Sequence, residues 1–488
     1  MKPVKSSAPP WLADLIRIVG PEQTLSSLPE LWAYARDRLP YATYMVRDGN
    51  LPAGLPSAVV CPANVEELRR IIELSRREKI PVIPFGAGSG VLGGTLPLDH
   101  ELVIDLKRMN DVIELNEVDG TVTVRAGMNG GQFEAWLNER GYSCGHLPQS
   151  LYMSTVGGWA ACRGAGQNST RYGKIEDIVL GLAALLPDGR ELRLRPVARR
   201  ATGPSLKDVI VGSEGVFGII TELTLRVWKL PESRLGVVLG FETLNAGLDA
   251  LRKIMQAELR PAVVRLYDAA ESAPRGVSVG IGEQRPFLAI LEFCGSQRLA
   301  ALERELALEI VDAHGGVRLG DEPYEHWRAH RYESYSPQWQ SKDHFMDTIE
   351  VTAPWSALPA LHERISCEMS ALFAGIHFGT HWSHIYPEGA CQYMTLRLPP
   401  MAREEGLRLH RAAWNLAQSA CLDLGGSISH HHGVGVFRNP WLRRELGTGL
   451  ELLQGLKDHL DPDNLFVPGK LALRAREGAI NLEHTRHG

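Results

Sequence analysis

Three adjacent histidines, His430, His431 and His432, lie in the run Gly425-Gly-Ser-Ile-Ser-His-His-His-Gly-Val-Gly435. Imidazole titrates near neutrality, so such a run can pass a proton at physiological pH, and the flanking glycines let a ligand approach the backbone. The same run is compatible with a metal site or a solvated loop. Upstream, Ser383-His-Ile-Tyr-Pro-Glu-Gly-Ala-Cys-Gln-Tyr393 leads into a strand that places Tyr393 either at a pocket floor or in the core. A third stretch, Ile83-Pro-Phe-Gly-Ala-Gly-Ser-Gly-Val-Leu-Gly-Gly94, is almost free of side chains, with five glycines in twelve residues. Glycine tolerates positive φ and lets successive N–H groups converge, so this loop suits a phosphate or pyrophosphate nest; a flexible turn is the plainer reading.

The surrounding pattern positions these stretches. Residues 1–54 read as an N-terminal helical arm carrying no chemistry. A short strand at Ala58, a helix over Val65–Lys79 and the Ile80–Pro84 strand deliver the glycine loop at the carboxyl end of a strand, where ligands of α/β folds bind. Strands are expected at Leu102–Leu106 and Thr121–Ala126, a helix at Gly131–Arg140, and a hairpin over Ile178–Leu186 and Glu191–Arg195 turning at Pro187-Asp-Gly189. Between them, Leu147–Asp177 is dense in Gly, Ser, Thr and Asn, suited to an extended polar ligand or to a long surface loop. A further glycine cluster, Val211–Ile220, runs into a strand over Thr221–Val227. From about Pro231 the pattern shifts to helices and longer apolar strands, among them Leu235–Phe241, Phe287–Cys294 and Cys391–Leu398.

Composition narrows the class. The 488 residues carry 52 basic and 57 acidic side chains, a formal net charge of -5 that argues against a general nucleic-acid binder. Seven cysteines are scattered without a CxxC pair, as in a reducing, cytoplasmic protein. No apolar run approaches the ~18 residues of a spanning helix. Peripheral membrane contact and a homodimer stay open.

Read in order, Pro84-Phe-Gly-Ala-Gly-Ser-Gly90, Ser154-Thr-Val-Gly-Gly158, Tyr172-Gly-Lys-Ile-Glu-Asp177, Gly212-Ser-Glu-Gly215 and Gly218-Ile-Ile-Thr221 resemble the FAD-binding domain of the vanillyl-alcohol oxidase and p-cresol methylhydroxylase superfamily. The resemblance implies an α+β protein: a two-subdomain FAD-binding domain at 55–230, a mixed α/β cap at 231–424, and a histidine loop with a C-terminal return over 425–488, where Asp461–Lys470 rejoins the FAD domain. It implies that Pro84, Phe85, Gly86, Ala87, Gly88, Ser89 and Gly90 cradle the FAD pyrophosphate. Pro148, Ser154, Thr155, Gly157, Gly158, Asn168, Ser169, Tyr172, Glu214, Gly218, Ile219 and Ile220 would line the rest. No histidine lies between Ile83 and Gly94, and Cys144 and Cys162 are not placed as tethers, so FAD is expected to be non-covalent.

The histidine run, the Ala390-Cys-Gln-Tyr393 segment and Val264-Arg-Leu-Tyr267 resemble the alkylglycerone-phosphate synthase branch. That resemblance puts Tyr393 and the three histidines at the flavin's reactive face and Arg265 near an anionic group of the substrate, where its planar fork suits phosphate or carboxylate. The branch carries a substrate-binding arginine ahead of the Phe345–Thr352 strand. Here that segment reads Tyr335–Lys342 without one, and Lys342 supplies only a point charge. Two reactions follow: oxidation of a small hydroxylated, anionic substrate by hydride transfer to flavin N5, which is preferred, or a non-redox exchange of an acyl for an alkyl chain through flavin N5. No metal is expected, since Cys391 and His431 stand where metal-dependent D-2-hydroxyacid dehydrogenases place a histidine and an acid.

Overall fold

Asn64 opens the first long helix by accepting from the Glu67 N–H (2.9 Å), and Val65–Glu78 then buries Leu68, Ile71, Ile72 and Leu74 along one face. That helix crosses over between two parallel strands of a four-stranded sheet. Its order is Thr24–Leu25, Ala58–Val60, Leu102–Asp105, Val82–Phe85, and the first strand is antiparallel to its neighbour. The glycine loop leaves the carboxyl end of Val82–Phe85, as expected from the pattern. The computed structural model describes residues 9–281, 284–333 and 344–482; the arginine-poor segment Tyr335–Lys342 lies outside them.

A second sheet has five antiparallel strands in the order Val112–Asn116, Thr121–Arg125, Ile219–Arg226, Val179–Leu185, Glu191–Leu194. The predicted strands and hairpin appear within a residue or two of their expected ends, and Val112–Asn116 is an additional strand. The chain's C-terminal part returns to the first sheet: Val82 N–H donates to the Leu465 carbonyl (2.8 Å), and Val467 N–H donates to that of Val82 (2.9 Å).

The intervening residues form a seven-stranded sheet that is antiparallel throughout. Its order is Val317–Arg318, Ser233–Phe241, Phe287–Gly295, Val263–Tyr267, His377–Ile385, Gly389–Leu398, Phe345–Pro354. Leu266, Trp382, Met394, Ile349 and Val351 project from one face into a core shared with helices that include Leu358–Leu372 and Arg403–Asp423. Side chains alternate across a strand, so the residues between them face the other way, toward the glycine-loop domain. No helix among the described residues is long and apolar enough to cross a membrane, and all seven cysteines are free.

Candidate active site

The outer face of the seven-stranded sheet carries the chemistry in rows. Tyr267 pairs with His381, His381 with Tyr393, and Tyr393 with Glu350, so four adjacent strands contribute one side chain each to a single transverse row. The neighbouring row is Arg265, Ser383, Cys391 and Thr352. His384 would face the core in a regular strand. Instead the register shifts between Ser383 and Ile385, and His384 takes a left-handed φ of 52°. This bulge turns His384 to the same side as His381; bulges commonly re-aim side chains beside active sites.

The histidine loop is added to the sheet edge by reciprocal backbone bonds between Thr352 and Ser427 (3.0 and 2.8 Å). Glu350 then organises it. Its carboxylate accepts from the backbone N–H groups of His430 and His432, from the Ser429 hydroxyl and from Arg438 Nη1 (2.9 Å). Arg438 also donates to the Gly433 carbonyl (2.8 Å), and both charged side chains are fully buried. On the other flank, Glu214 accepts from the N–H groups of Val434 (2.7 Å) and Gly435 (2.8 Å). Lys174 Nζ, from the Tyr172–Asp177 motif, donates to the His430 carbonyl.

The imidazoles converge. His384 Nδ1 meets Ser169 Oγ at 2.7 Å, and its ring lies 5.1 Å from that of His430 and 4.8 Å from that of His431. His430 Nδ1 and His431 Nδ1 are 3.0 Å apart, so one proton lies between them, and His430 Nε2 meets the Tyr386 hydroxyl at 3.1 Å. Arg265 donates from Nε to the Tyr267 hydroxyl (2.8 Å) and from Nη2 to His381 Nε2 (2.9 Å). Tyr393 stacks on His381 at 4.8 Å and donates its hydroxyl proton to Thr348 Oγ1 (3.0 Å).

Burial sets the charge states. It holds His381, His430 and His431 well below the usual imidazole range, with neighbouring cations or imidazoles adding to it, and pushes His384 down to about 3 and His432 downward. The site therefore presents neutral imidazoles, which are bases. Burial opposes ionisation of Glu350, but Arg438 and the nearby histidines outweigh it and hold that carboxyl down at about 2. Its charge lies 3.9 Å from His431 Nδ1 and 3.9 Å from His432 Nδ1, and the latter nitrogen is buried without a hydrogen-bond partner among the described residues. Burial pushes the Tyr393 hydroxyl up, so it is protonated at neutral pH.

The glycine loop fits a dinucleotide diphosphate. Among the described residues no acceptor is found for the backbone N–H groups from Gly86 to Val91. Gly88 has a φ of +62°, and a Cβ there would stand 2.8 Å from the Phe85 ring; on Gly86 it would stand 2.3 Å from Thr155 Oγ1. The first two glycine motifs thus meet, with Gly157 close against Ala126, where a Cβ would lie 2.6 Å from that of Ala126. Asn168 Oδ1 is buried without a partner among the described residues, as suits a ligand-facing amide.

Other expected cofactor residues have structural duties. Ser154 Oγ is held between Trp159 Nε1 and the Ser150 carbonyl, and the Pro148 carbonyl accepts the Leu151 N–H. Tyr172 packs on Trp228 and reaches Cys294 of the seven-stranded sheet at 3.4 Å. Glu214 holds the histidine loop, and Ser169 belongs with His384. Ile219 and Ile220 send their side chains into two cores, and a Cβ on Gly218 would stand 2.8 Å from the Leu185 carbonyl. Ligand atoms of Cys391, His430 and His431 lie within 4.8 Å of one another, a grouping that could hold a metal ion and that includes two of the three histidines whose run is compatible with one.

Sequence comparison agrees with this arrangement. Residues 56–195 match the FAD binding domain family, and residues 230–471 match the C-terminal domain of FAD linked oxidases. An uncharacterized FAD-linked oxidoreductase of Escherichia coli, YgcU, is 30% identical over 94% of this chain and 97% of its own length. The chain belongs to the FAD-linked oxidase family. Alkyldihydroxyacetonephosphate synthase of Dictyostelium discoideum is 29% identical over 86% of this chain and 74% of its own. A probable mitochondrial D-lactate dehydrogenase of Danio rerio is 30% identical over 85% and 84%. Among solved structures, an alkyldihydroxyacetonephosphate synthase superposes with a TM-score of 0.80 at 24% identity, covering 96% of this chain and 86% of that one. p-Cresol methylhydroxylase superposes with a TM-score of 0.75 at 16% identity, covering 95% and 96%. The fold is that of the p-cresol methylhydroxylase type, and this FAD-dependent oxidoreductase family supplies the cofactor.

Proposed function

We propose that this chain oxidises a small hydroxylated, anionic substrate, with neutral histidines as the base. The observation that carries the reading is the convergence of His381, His384, His430, His431 and His432 with Tyr393 and the cationic Arg265 on one face of the sheet. FAD, when bound, supplies the hydride acceptor. The chain's own part is to orient the substrate and hold the proton. The guanidinium of Arg265 anchors the anionic group. A neutral imidazole of the histidine loop takes the hydroxyl proton, and the Glu350 carboxylate beside it stabilises the imidazolium that forms. Tyr393 donates its hydroxyl hydrogen bond at the floor of the site and fixes the substrate's approach. His381, His384, His430 and Glu350 are buried and the other groups half-buried, which limits the access of water to the site.

The near end-to-end match to an oxidoreductase of similar length supports oxidation over transfer, because the synthase relative is longer than this chain. The non-redox transferase is the second reading, favoured by the TM-score of 0.80 to a synthase. Visible spectra of the anaerobic holoprotein decide between them, recorded with a panel of 2-hydroxy acids, alcohols and acylated dihydroxyacetone phosphate. Bleaching of the oxidised flavin band by a hydroxylated compound is the expected result and names the substrate class. An unbleached flavin together with exchange of a fatty alcohol into the acylated phosphate would overturn the oxidase reading in favour of the transferase.

A further inference from the structure

The N-terminal arm, which the sequence reading left without chemistry, closes over the glycine loop. The Arg38 N–H donates to the Gly90 carbonyl (2.8 Å), and the Arg36 carbonyl lies 3.7 Å from the position a Cβ would take on Gly88. Between arm and loop is a cavity of about 560 Å³, walled by Ala87 and Gly88 on one side, Arg36 and Arg38 on another, and Thr348 of the seven-stranded sheet on a third. Thr348 is the residue that accepts the Tyr393 hydroxyl, so the cavity connects the glycine loop with the catalytic face.

Three observations point the same way. The amides from Gly86 to Val91 have no acceptor among the described residues. The Arg36 guanidinium, which lines the same cavity, has no hydrogen bond or ion pair among the described residues either. The arm lies outside residues 56–195, the part matched to the FAD binding domain family. We propose that Arg36, with Arg38 beside it, completes the diphosphate site of the dinucleotide, the arm's guanidinium facing the anion from the side opposite the loop amides.

Amide dipoles alone leave most of a diphosphate's charge uncompensated, and a planar guanidinium fork pairs with two phosphate oxygens at once. Asp37, between the two arginines, also lines the cavity, with Oδ2 3.9 Å from where a Cβ on Gly90 would stand, but its side chain is buried while the two arginines are exposed. It is turned inward, with Oδ1 accepting the Leu39 N–H (2.9 Å), and it faces Lys470 of the C-terminal return. The arm is thus part of the cofactor site whichever reaction the histidine face performs.

The test is the FAD dissociation constant, read from flavin fluorescence on dilution of the holoprotein at low and high salt. Arg36→Gln is expected to weaken FAD binding roughly 10- to 100-fold, the range for a lost hydrogen bond to a charged group, and to flatten its salt dependence. Arg36→Lys restores part of the loss, whereas Arg140→Gln, on a distant surface, binds as the wild type does. Arg36 is exposed and has no partner among the described residues, so the unfolding midpoint of the flavin-free protein stays unchanged. Wild-type FAD affinity in an Arg36→Gln/Arg38→Gln double variant overturns the assignment. So does wild-type FAD affinity with weakened inhibition by inorganic phosphate, which would put the guanidinium on a phosphorylated substrate. A fall in affinity matched by a lowered midpoint of the flavin-free protein overturns it too, because the role would then be structural.

Discussion

Replacing Glu350 by glutamine keeps the side chain's shape and removes its charge. At 3.9 Å from His431 Nδ1 and from His432 Nδ1, and with an effective dielectric constant of about 20, one carboxylate stabilises an imidazolium by about 4 kcal/mol, or about three pKa units. If half of that is expressed when the proton is in flight, flavin reduction slows roughly 30-fold; if all of it is, roughly 1,000-fold. The substitution also strands Arg438, fully buried, without its counter-ion, which costs about 3–5 kcal/mol of stability. The two effects separate in a second variant, Glu350→Gln/Arg438→Met, which removes both charges while the amide oxygen still accepts from the loop's N–H groups, and which recovers stability without recovering the rate. Anaerobic stopped-flow reduction by the compound that bleaches the wild-type flavin, run across pH, measures the first effect; urea unfolding measures the second. A double variant that regains both stability and the wild-type reduction rate would show that Glu350 only shapes the loop, and the electrostatic argument would fail.

Tyr393→Phe deletes the hydroxyl that donates to Thr348; flavin content should hold while turnover falls by roughly 10-fold, as for one lost positioning hydrogen bond, and unchanged turnover removes Tyr393 from the mechanism. Gly88→Val puts a branched Cβ at a φ of +62° and 2.8 Å from the Phe85 ring, so the purified protein should lack flavin; a normal visible flavin band would refute the nest. Acid should destabilise the fold from near neutrality downward. His146 and His384, both pushed by burial to about 3, stay neutral in the native state while the unfolded chain binds protons below about 6.5. Each therefore removes about 1.4 kcal/mol per pH unit as pH falls from about 6.5 toward 3. Glu350, held at about 2, adds to the loss below about 4.5. A urea midpoint that stays flat between neutral pH and about pH 5 would contradict this. Finally, acid precipitation should release the flavin into the supernatant; a yellow pellet would show a covalent tether.

The glycine clusters were legible because they are local: a backbone that must approach a ligand needs glycine at particular positions, and Gly86 and Gly88 show why. The histidine run and Tyr393 were legible as residue types, and the structure brings them together. What organises them was not. Glu350 lies in a strand pattern, and only the antiparallel register shows that it shares a row with Tyr393. His381 and His384 are three apart, a spacing that in a regular strand sends them to opposite faces; the bulge that reunites them leaves no mark in the sequence pattern. Ser169, Tyr172 and Glu214 were assigned to the cofactor from motif position, yet their side chains bond across to the histidine cluster, to Cys294 and to the histidine loop. The arm's arginines carry no periodic or motif signal, since their partner is a loop some fifty residues away.

The transverse row from Tyr267 to Glu350 has a further implication. Its members are spaced by strands rather than by residues, at about 4.8 Å per strand, so the row spans roughly 14 Å. The sheet therefore acts as a ruler. Distances between Tyr267, His381, Tyr393 and Glu350 are set in whole-strand steps, and the histidine loop hangs from the Glu350 rung. Exchanging a side chain on one rung changes what is measured there and leaves the other divisions where they were. A chain with this sheet can thus change its substrate rung by rung, whereas a slip of a single residue in any of the four strands would turn that rung to the core and erase the scale.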